Sequence, residues 1–172
     1  MITPTKNSMS LIMAQSKDGY FALNENDNMK WTGKKDKLAF KLLTNEGNTN
    51  LLCGLNTALN MPELKNRRIW AVRSGNQAGW IAKDGFLINE ITYIQINDKT
   101  FKGAKVIGGP KFAESVIKDG YIKYAYISII DKELKSGIGK NLSEYLTKFQ
   151  YTSINFDGLE IRKYKLKGEK ND

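Results

Sequence analysis

The sequence predicts an α/β fold: one mostly parallel, twisted sheet with helices on both faces and an antiparallel hairpin at its C-terminal edge. Short apolar runs rich in β-branched residues alternate along the chain with helical patterns, which is typical of strand–helix–strand units. These runs are continuously apolar, as strands covered on both faces are. Near the C-terminus, alternating patterns on both sides of Asp157-Gly158 predict the hairpin, because Asp-Gly suits a tight turn.

The elements follow one another without an internal repeat, so the 172 residues are expected to form a single domain. We place that domain at 9–167, after an N-terminal extension at 1–8 and before a basic tail at 168–172. The predicted strands cover 9–16, 48–55, 67–74, 90–96, 104–109 and 121–130, and the hairpin covers 149–166. The predicted helices run from Thr32 to about Thr44 and over 110–120. A polar loop covers 17–30, and the assignment of "WIAKDGFL" stays open.

The absence of histidine narrows the possible chemistry. A chain without histidine has no His-based catalytic triad, no His metal ligand and no imidazole proton shuttle. Acid–base chemistry must then use a carboxylate, a tyrosine, a lysine or bound water. The single cysteine, Cys53, cannot form an internal disulfide, and we expect it to fill core space. We expect no metal.

The net charge of +9, from 27 basic and 18 acidic residues, suits an anionic small molecule such as a nucleotide phosphate or an acidic metabolite. The lysines are scattered through the chain, which does not favour nucleic-acid binding. No apolar run approaches the roughly 18 residues of a membrane span. The first residues lack the basic region and apolar stretch of a signal peptide. We therefore expect a cytoplasmic monomer that binds no membrane.

One acidic residue stands out by its position. The stretch "MKWTGKKDKLAFKLLT", residues 29–44, places Asp36 among five lysines. On a helix of about 100° per residue, Asp36 falls within an apolar stripe. That stripe comprises Leu38, Ala39, Phe40, Leu42 and Leu43. Asp36 is either a first-turn acid favoured by the helix dipole, with Thr32 as N-cap, or a ligand-binding carboxylate in a pocket.

The stretch "AKVIGGPKFAESV" predicts a strand that ends at Gly108-Gly109, followed by a helix with Pro110 in its first turn. Glycines let the backbone approach a ligand closely, and the helix N-terminus offers free N–H groups to a phosphate. An ordinary tight turn would have the same sequence. Neither G-x-G-x-x-G nor G-x-x-x-x-G-K-[ST] is present, so the standard Rossmann and P-loop motifs are excluded.

Taken together, these stretches resemble the dihydrofolate reductase superfamily in their order across residues 9–131, and the hairpin fits its last two strands. The most specific resemblance lies in Met29, Trp31, Asp36, Phe40 and Lys41, and then in Ile107, Gly108 and Gly109. The resemblance implies NADPH-dependent reduction of 7,8-dihydrofolate to tetrahydrofolate. In dihydrofolate reductases the helix aspartate binds the pterin and supports protonation of N5 while NADPH delivers hydride to C6.

Carried over residue by residue, the resemblance implies three groups of site residues. The catalytic group is Asp36, Trp31 as holder of an ordered water, and Ser128 as partner of the Asp36 carboxylate. The substrate-binding group is Ala14, Phe40, Lys37 and Arg67. The NADPH-binding group is Met29, which closes over the nicotinamide, with Gly54, Thr57, Arg73, Ser74, Ile107, Gly108, Gly109 and Lys111.

The chain departs from that pattern at two informative positions. Leu55 stands where the superfamily usually offers a cation to the 2′-phosphate of NADPH, so either Arg73 or Lys111 supplies the charge or selectivity over NADH is weak. Lys37 stands where an apolar residue usually faces the substrate.

Two alternatives to dihydrofolate reduction stay open. Residues 108–142 also resemble the reductase domain of riboflavin biosynthesis, which uses NADPH on a ribosylated pyrimidine. The Met-x-Trp pattern and Asp36 favour dihydrofolate over that substrate. The other alternative is a binding or structural protein that has kept the fold and lost turnover.

Overall fold

The computed structural model describes residues 4–73, 79–83 and 85–166. Within these ranges, nine strands form one sheet. The strands are β1 (Met9–Ser16), β2 (Asn50–Gly54), β3 (Arg68–Arg73), β4 (Gly79–Lys83), β5 (Phe86–Thr92), β6 (Lys105–Gly108), β7 (Ile122–Ile130), β8 (Tyr151–Phe156) and β9 (Leu159–Lys165).

Four α-helices and three short 3₁₀ segments connect these strands in the same ranges. The α-helices are α1 (Gly33–Thr44), α2 (Leu55–Leu59), α3 (Pro110–Lys118) and α4 (Lys140–Leu146). The 3₁₀ segments are Lys30–Thr32, Ile94–Asn97 and Lys99–Phe101.

The sheet is mostly parallel, which confirms the predicted fold class. Its strand order is β4-β5-β3-β2-β6-β1-β7-β9-β8. The six strands from β5 to β7 run parallel, and β4, β9 and β8 are added antiparallel at the two edges. The carboxyl ends of the parallel strands therefore meet along one edge, which is where ligands bind in open α/β sheets.

Helices cover both faces of the sheet. Buried side chains of α3 and α4 pack with Leu52 of β2 in one apolar cluster. On the opposite face, Ala58 of α2 packs with Leu51 of β2, and Ala39 of α1 packs with Ala14 of β1. Adjacent residues of β2 thus point to opposite faces, and both faces are buried, as a continuously apolar strand requires.

Most predicted strands occur within one or two residues of their predicted ends, but the strand predicted at 90–96 is correct only over 90–92. β5 begins at Phe86 and ends at Thr92, and the chain then turns into the 3₁₀ segment Ile94–Asn97. The apolar pattern continued beyond the strand because of Ile94, which is 79% exposed. The open stretch "WIAKDGFL" contributes to β4 and to the start of β5, which pair antiparallel.

Two helices, α2 and α4, are not predicted from the sequence. The predicted strand 48–55 ends at Gly54, because Leu55 begins α2. α4 follows Gly139, whose backbone is left-handed with φ 95°, and its Leu142 and Leu146 are buried. The two helices have five and seven residues, which is shorter than the roughly 11–18 residues over which an apolar helical period becomes recognisable.

The ends of the chain are only partly described. Thr5 is buried and Asn7 N–H donates to the Gly120 carbonyl at 2.8 Å, so part of 1–8 packs on the domain. The domain bounds 9–167 stay a prediction, since residues from 167 onward lie outside the described ranges. None of the described helices combines the length and apolarity needed to cross a bilayer.

Candidate active site

A cavity of about 1490 Å³ lies where the parallel strands end. Its walls include Ala14 of β1, Gly54 at the end of β2, Ile107 of β6 and Ser128 of β7. α1 and the loop before it form the opposite wall. This volume exceeds that of a typical single small-molecule pocket, roughly 300–1,000 Å³, so the cavity has room for two ligands side by side.

Asp36 lines the cavity from the first turn of α1. It is 8% exposed, and Ala39, which lies about one helical turn later, belongs to an apolar cluster with Ala14. Among the described residues, no donor forms a hydrogen bond with the Asp36 carboxylate. A buried carboxylate without a protein donor retains its full hydrogen-bonding capacity for a ligand. The position inside α1 is as predicted, whereas Leu38 and Leu42 are each 50% exposed, so the predicted apolar stripe is wrong at these two of its five residues.

Ser128 reaches the cavity from β7, where it pairs with Ala14 of β1. It is buried, as is Asp36. The resemblance implied a hydrogen bond between Ser128 and Asp36, but no such bond joins these two described residues. Each side chain is therefore free to contact a ligand separately.

Lys37 holds the loop before α1 in place. Its Nζ donates to the Met29 carbonyl at 2.7 Å and to Thr32 Oγ1 at 2.8 Å, and Thr32 Oγ1 donates to the same carbonyl. Thr32 is the N-cap residue of α1, as predicted, but its side chain makes no capping bond. Burial lowers the pKa of Lys37, and Asp36 and Asp27 partly oppose that shift. Lys37 thus lines the cavity and fixes the loop before α1 by its hydrogen bonds.

Asp27 organises the same loop. One carboxylate oxygen accepts from the Met29 N–H at 2.7 Å, and the other accepts from Leu23 N–H at 2.7 Å and from Trp31 Nε1 at 2.8 Å. Trp31 lies outside the cavity lining, and its indole N–H is already donated to Asp27. This contact differs from the water-holding role that the resemblance implies. Met29 lines the cavity with a left-handed backbone, φ 61°.

The remaining substrate-side residues also line the cavity. Phe40 contributes from α1, and Arg67 contributes from the turn before β3. Arg67 Nη1 donates to Thr44 Oγ1 at 3.0 Å, and its Nε donates to the Lys65 carbonyl at 3.0 Å. These bonds fix the guanidinium at the cavity wall with donors remaining for an anionic ligand.

The glycine end of the cavity is formed by close backbone packing. Gly108 has φ +139°, a conformation that side chains rarely adopt, and its peptide bond to Gly109 is cis. A Cβ on Gly109 would lie 3.2 Å from Thr57 Oγ1. Gly54 faces the same space from the end of β2. Gly54, Gly108 and Gly109 together form a surface that we call the glycine cradle. It is open because these positions carry no side chains.

α3 begins at this cradle and directs its N-terminus toward it. Gly109 is the N-cap, and the first intrahelical bond runs from Ala113 N to the Gly109 carbonyl at 2.9 Å. The N–H groups of Lys111 and Phe112 precede that bond, and both residues line the cavity. Free N–H groups, the helix dipole and the exposed Lys111 ammonium together suit a phosphate group.

Arg73 does not join the cavity lining. Its Nη1 lies 2.8 Å from Glu90 Oε2, at ion-pair distance although not in hydrogen-bond alignment. Glu90 is buried, so the pair anchors Arg73 to β5. The assignment of Arg73 to a cofactor phosphate stays a prediction. Ser74 lies outside the described residues.

Sequence reasoning missed one wall of the cavity. Residues of the 17–30 loop pair with the turn before α4: Phe21 N–H donates to the Ile138 carbonyl, and Ile138 N–H donates to the Ala22 carbonyl, both at 2.8 Å. Gly137 and Gly139 allow this approach, because a Cβ on either would collide with the loop. Gly137 and Gly139 are the sequence signal for this close packing, but the 17–30 loop that they contact lies far away along the chain.

The described residues contain no group of three or more Cys, Asp or Glu side chains arranged to hold a metal ion.

Solved structures share this fold across nearly the whole chain. A dihydrofolate reductase from Enterococcus faecalis, complexed with NADP(H) and RAB-propyl, superposes with a TM-score of 0.67 over 93% of this chain and 96% of that chain, at 16% identity. A riboflavin biosynthesis protein from Shewanella sp. PV-4 superposes with a TM-score of 0.62 over 92% and 98%, at 15% identity. No family model matches the sequence, and no curated protein matches it. The chain therefore has the dihydrofolate reductase fold.

Proposed function

We propose that this chain, built on the dihydrofolate reductase fold, reduces 7,8-dihydrofolate to tetrahydrofolate with NADPH as the hydride donor. The observation that carries the proposal is Asp36: a buried carboxylate in a large cavity, without a hydrogen-bond donor among the described residues. Neither oxygen of this carboxylate is closed off from the cavity, so a ligand there can supply donors to both of them. A pterin ring supplies them as an adjacent N3–H and 2-amino group.

Asp36 has two roles in the proposed reaction. Its two oxygens accept the N3 and 2-amino hydrogens in a bidentate, charge-assisted arrangement, which fixes the orientation of the ring. Its negative charge also favours the protonated form of the bound pterin, so that N5 gains a proton as C6 gains hydride. No imidazole is needed, in keeping with a chain that has no histidine.

The cofactor would lie along the glycine end of the cavity. The cradle formed by Gly54, Gly108 and Gly109 lets a ligand approach the backbone closely, because these positions carry no side chains. The first turn of α3 and Lys111 would hold the phosphates. When bound, NADPH supplies the hydride. With Leu55 in place of a cation and Arg73 paired to Glu90, Lys111 carries the preference for NADPH over NADH.

The loop before α1 would cover both ligands and exclude water. Met29 lines the cavity at the end of that loop, and Lys37 fixes its carbonyl. Phe40 would contact the substrate ring, and Arg67 would pair with a substrate carboxylate. Exclusion of water strengthens the interaction of Asp36 with the bound ring.

Loss of NADPH absorbance with purified protein tests the reaction. We expect oxidation that depends on dihydrofolate and that falls at least about 100-fold in Asp36→Asn, since a carboxamide cannot supply the charge. A thermal-unfolding scan of Asp36→Asn is the control for folding. Oxidation at a near-wild-type rate in the folded variant would remove Asp36 from the mechanism.

A ribosylated diaminopyrimidine is the second candidate substrate. The Lys37 ammonium at the cavity wall favours a more polar ligand than a pterin. The riboflavin biosynthesis protein also superposes almost as well as the reductase. The same assay with this pyrimidine distinguishes the two substrates by their kcat/KM. If NADPH binds but neither compound is reduced, a binding protein that has lost turnover becomes the better description.

A further inference from the structure

Met29 is held by hydrogen bonds on both sides of its backbone. Its conformation is left-handed, with φ 61°, which a residue with a side chain keeps only where its surroundings enforce it. On the amide side, its N–H donates to Asp27 Oδ1 at 2.7 Å. On the carbonyl side, its oxygen accepts from Lys37 Nζ at 2.7 Å, from Thr32 Oγ1 at 3.1 Å and from Thr32 N–H at 3.3 Å. These bonds fix Met29 in one orientation at the cavity wall.

The Met29 carbonyl has no capacity left for a ligand. A carbonyl oxygen has two lone pairs, and three donors already approach this one. Lys37 Nζ also donates to Thr32 Oγ1 at 2.8 Å, so Lys37, Thr32 and Met29 form a closed triangle of hydrogen bonds. Two of the three ammonium hydrogens of Lys37 are therefore donated within the protein. This arrangement suits a residue that positions the loop rather than one that binds a ligand.

The place of Lys37 on α1 gives the triangle its importance. Asp36 and Lys37 are consecutive near the start of α1, so their side chains diverge by about 100° around the helix axis. Both residues line the cavity, but only Lys37 reaches back to the loop that carries Met29. The same short stretch of helix thus carries the carboxylate proposed for the substrate ring and the ammonium that fixes Met29.

We infer that Lys37 is a positioning residue for the cofactor: it holds Met29 in place and so joins the loop above the cofactor to α1. The inference rests on the proposed function, in which that loop covers NADPH. A loop that is already ordered loses less conformational freedom when a ligand binds beneath it, so the triangle strengthens cofactor binding. An apolar side chain at position 37 fills space but has no hydrogen to donate to the Met29 carbonyl.

Fluorescence titration of Lys37→Leu with NADPH tests the inference. We expect the Kd for NADPH to rise about fivefold, as the loss of one charge-assisted hydrogen bond implies, while the Kd for dihydrofolate stays within about twofold of the wild-type value. Lys34→Leu is the matched control, because Lys34 is exposed on the same helix and lies outside the cavity lining. It removes the same charge without removing the triangle. An unchanged Kd for NADPH in Lys37→Leu, or an equal rise in Lys34→Leu, would overturn the inference.

Two further variants separate positioning from a general effect on stability. Lys37→Arg keeps a cation with several N–H donors, so it should return the Kd for NADPH to within about twofold of the wild-type value. Thr32→Val removes the hydroxyl from the triangle at nearly constant size and should raise this Kd by itself. Because both residues act on one carbonyl, the effects of Lys37→Leu and Thr32→Val should combine less than additively. Full additivity would mean that Lys37 does not act through Met29, and it would overturn the positioning role.

These titrations need no turnover, so their outcome is distinguishable from that of the proposed reaction. If the wild type binds NADPH without reducing dihydrofolate, the proposed reaction fails, while the Kd values of the Lys37 variants still support or overturn this inference. A wild type that does not bind NADPH would overturn both. A higher Kd for dihydrofolate with an unchanged Kd for NADPH in Lys37→Leu would make Lys37 a substrate-binding residue instead.

Discussion

The two ends of the cavity offer different kinds of binding group. At one end, a single buried charge on α1, Asp36, provides the hydrogen-bonding group. At the other, Gly108 and Gly109 provide a surface by having no side chains, and the first turn of α3 offers backbone N–H groups. The difference teaches that a carboxylate specifies one ring by directional bonds, whereas a bare backbone accepts any ligand with a phosphate and a suitable shape.

Substitutions in the glycine cradle should have the largest effect on that end. Gly108→Ala forces a side chain into a backbone conformation with φ +139°, which costs about 1–3 kcal/mol of unfolding free energy. Gly109→Ala has an ordinary φ and meets only Thr57 Oγ1, at 3.2 Å, so it should cost about 1 kcal/mol. Both should weaken NADPH binding about tenfold or more, as measured by fluorescence titration.

A second substitution separates strained backbone conformation from side-chain crowding as the cause of each loss of stability. Thr57→Ala removes the atom that a Cβ on Gly109 would meet, so it should restore the denaturation midpoint of Gly109→Ala. It should not restore Gly108→Ala, whose cost lies in its own backbone. Equal rescue of both variants by Thr57→Ala would mean that crowding, rather than backbone conformation, is what both glycines avoid.

Lys111→Met should have a smaller effect on the same end. The ammonium is exposed, so its contribution to phosphate binding is about 1 kcal/mol, or a several-fold rise in KM for NADPH. The effect should shrink at high salt, and the KM for NADH should change less. Arg73→Met is the matched control, because Arg73 is paired with Glu90 and lies outside the cavity lining. A larger rise in KM for Arg73→Met would reassign the phosphate charge.

The loop at 17–30 should make the thermal stability of the protein depend modestly on pH. Asp18 accepts hydrogen bonds from Ser16 Oγ and from the N–H groups of Leu134 and Lys135. These bonds lower the pKa of Asp18 from 3.8 to about 2. A lowered folded-state pKa stabilises the fold above the unfolded-state value, and that stabilisation is lost as pH falls from 3.8 to about 2. Asp18→Asn should therefore lower the Tm at pH 6 and converge with the wild type below pH 2. A constant difference in Tm across this range would show that the charge of Asp18 is not involved.

The sequence predicts those parts of the fold that rest on local patterns. β1 was predicted residue for residue, and the strand–Gly-Gly–helix unit around Gly108 needs only a short window. The burial of α1 was predicted only in part, because Leu38 and Leu42 extend an apolar stripe that the sheet does not cover. Which face of a helix meets the sheet depends on its tertiary position, and a helical wheel has no information about that.

The same limit applies to the candidate site. Asp36 and the glycines occur in recognisable local motifs, and the structure brings them to one cavity. The pairing of Arg73 with Glu90 depends on the parallel register of β3 with β5, and the contact of Phe21 with Ile138 joins two distant loops. Neither relationship has a signal in a single sequence.

The central claim is that Asp36 serves the substrate end of the cavity and the glycines serve the cofactor end. Measuring kcat with dihydrofolate and Kd for NADPH on one preparation of Asp36→Asn tests it most directly. The kcat with dihydrofolate should fall at least about 100-fold, while the Kd for NADPH should stay within about twofold of the wild-type value. Parallel loss of turnover and cofactor binding, or retention of both, would contradict the claim that Asp36 serves the substrate end alone.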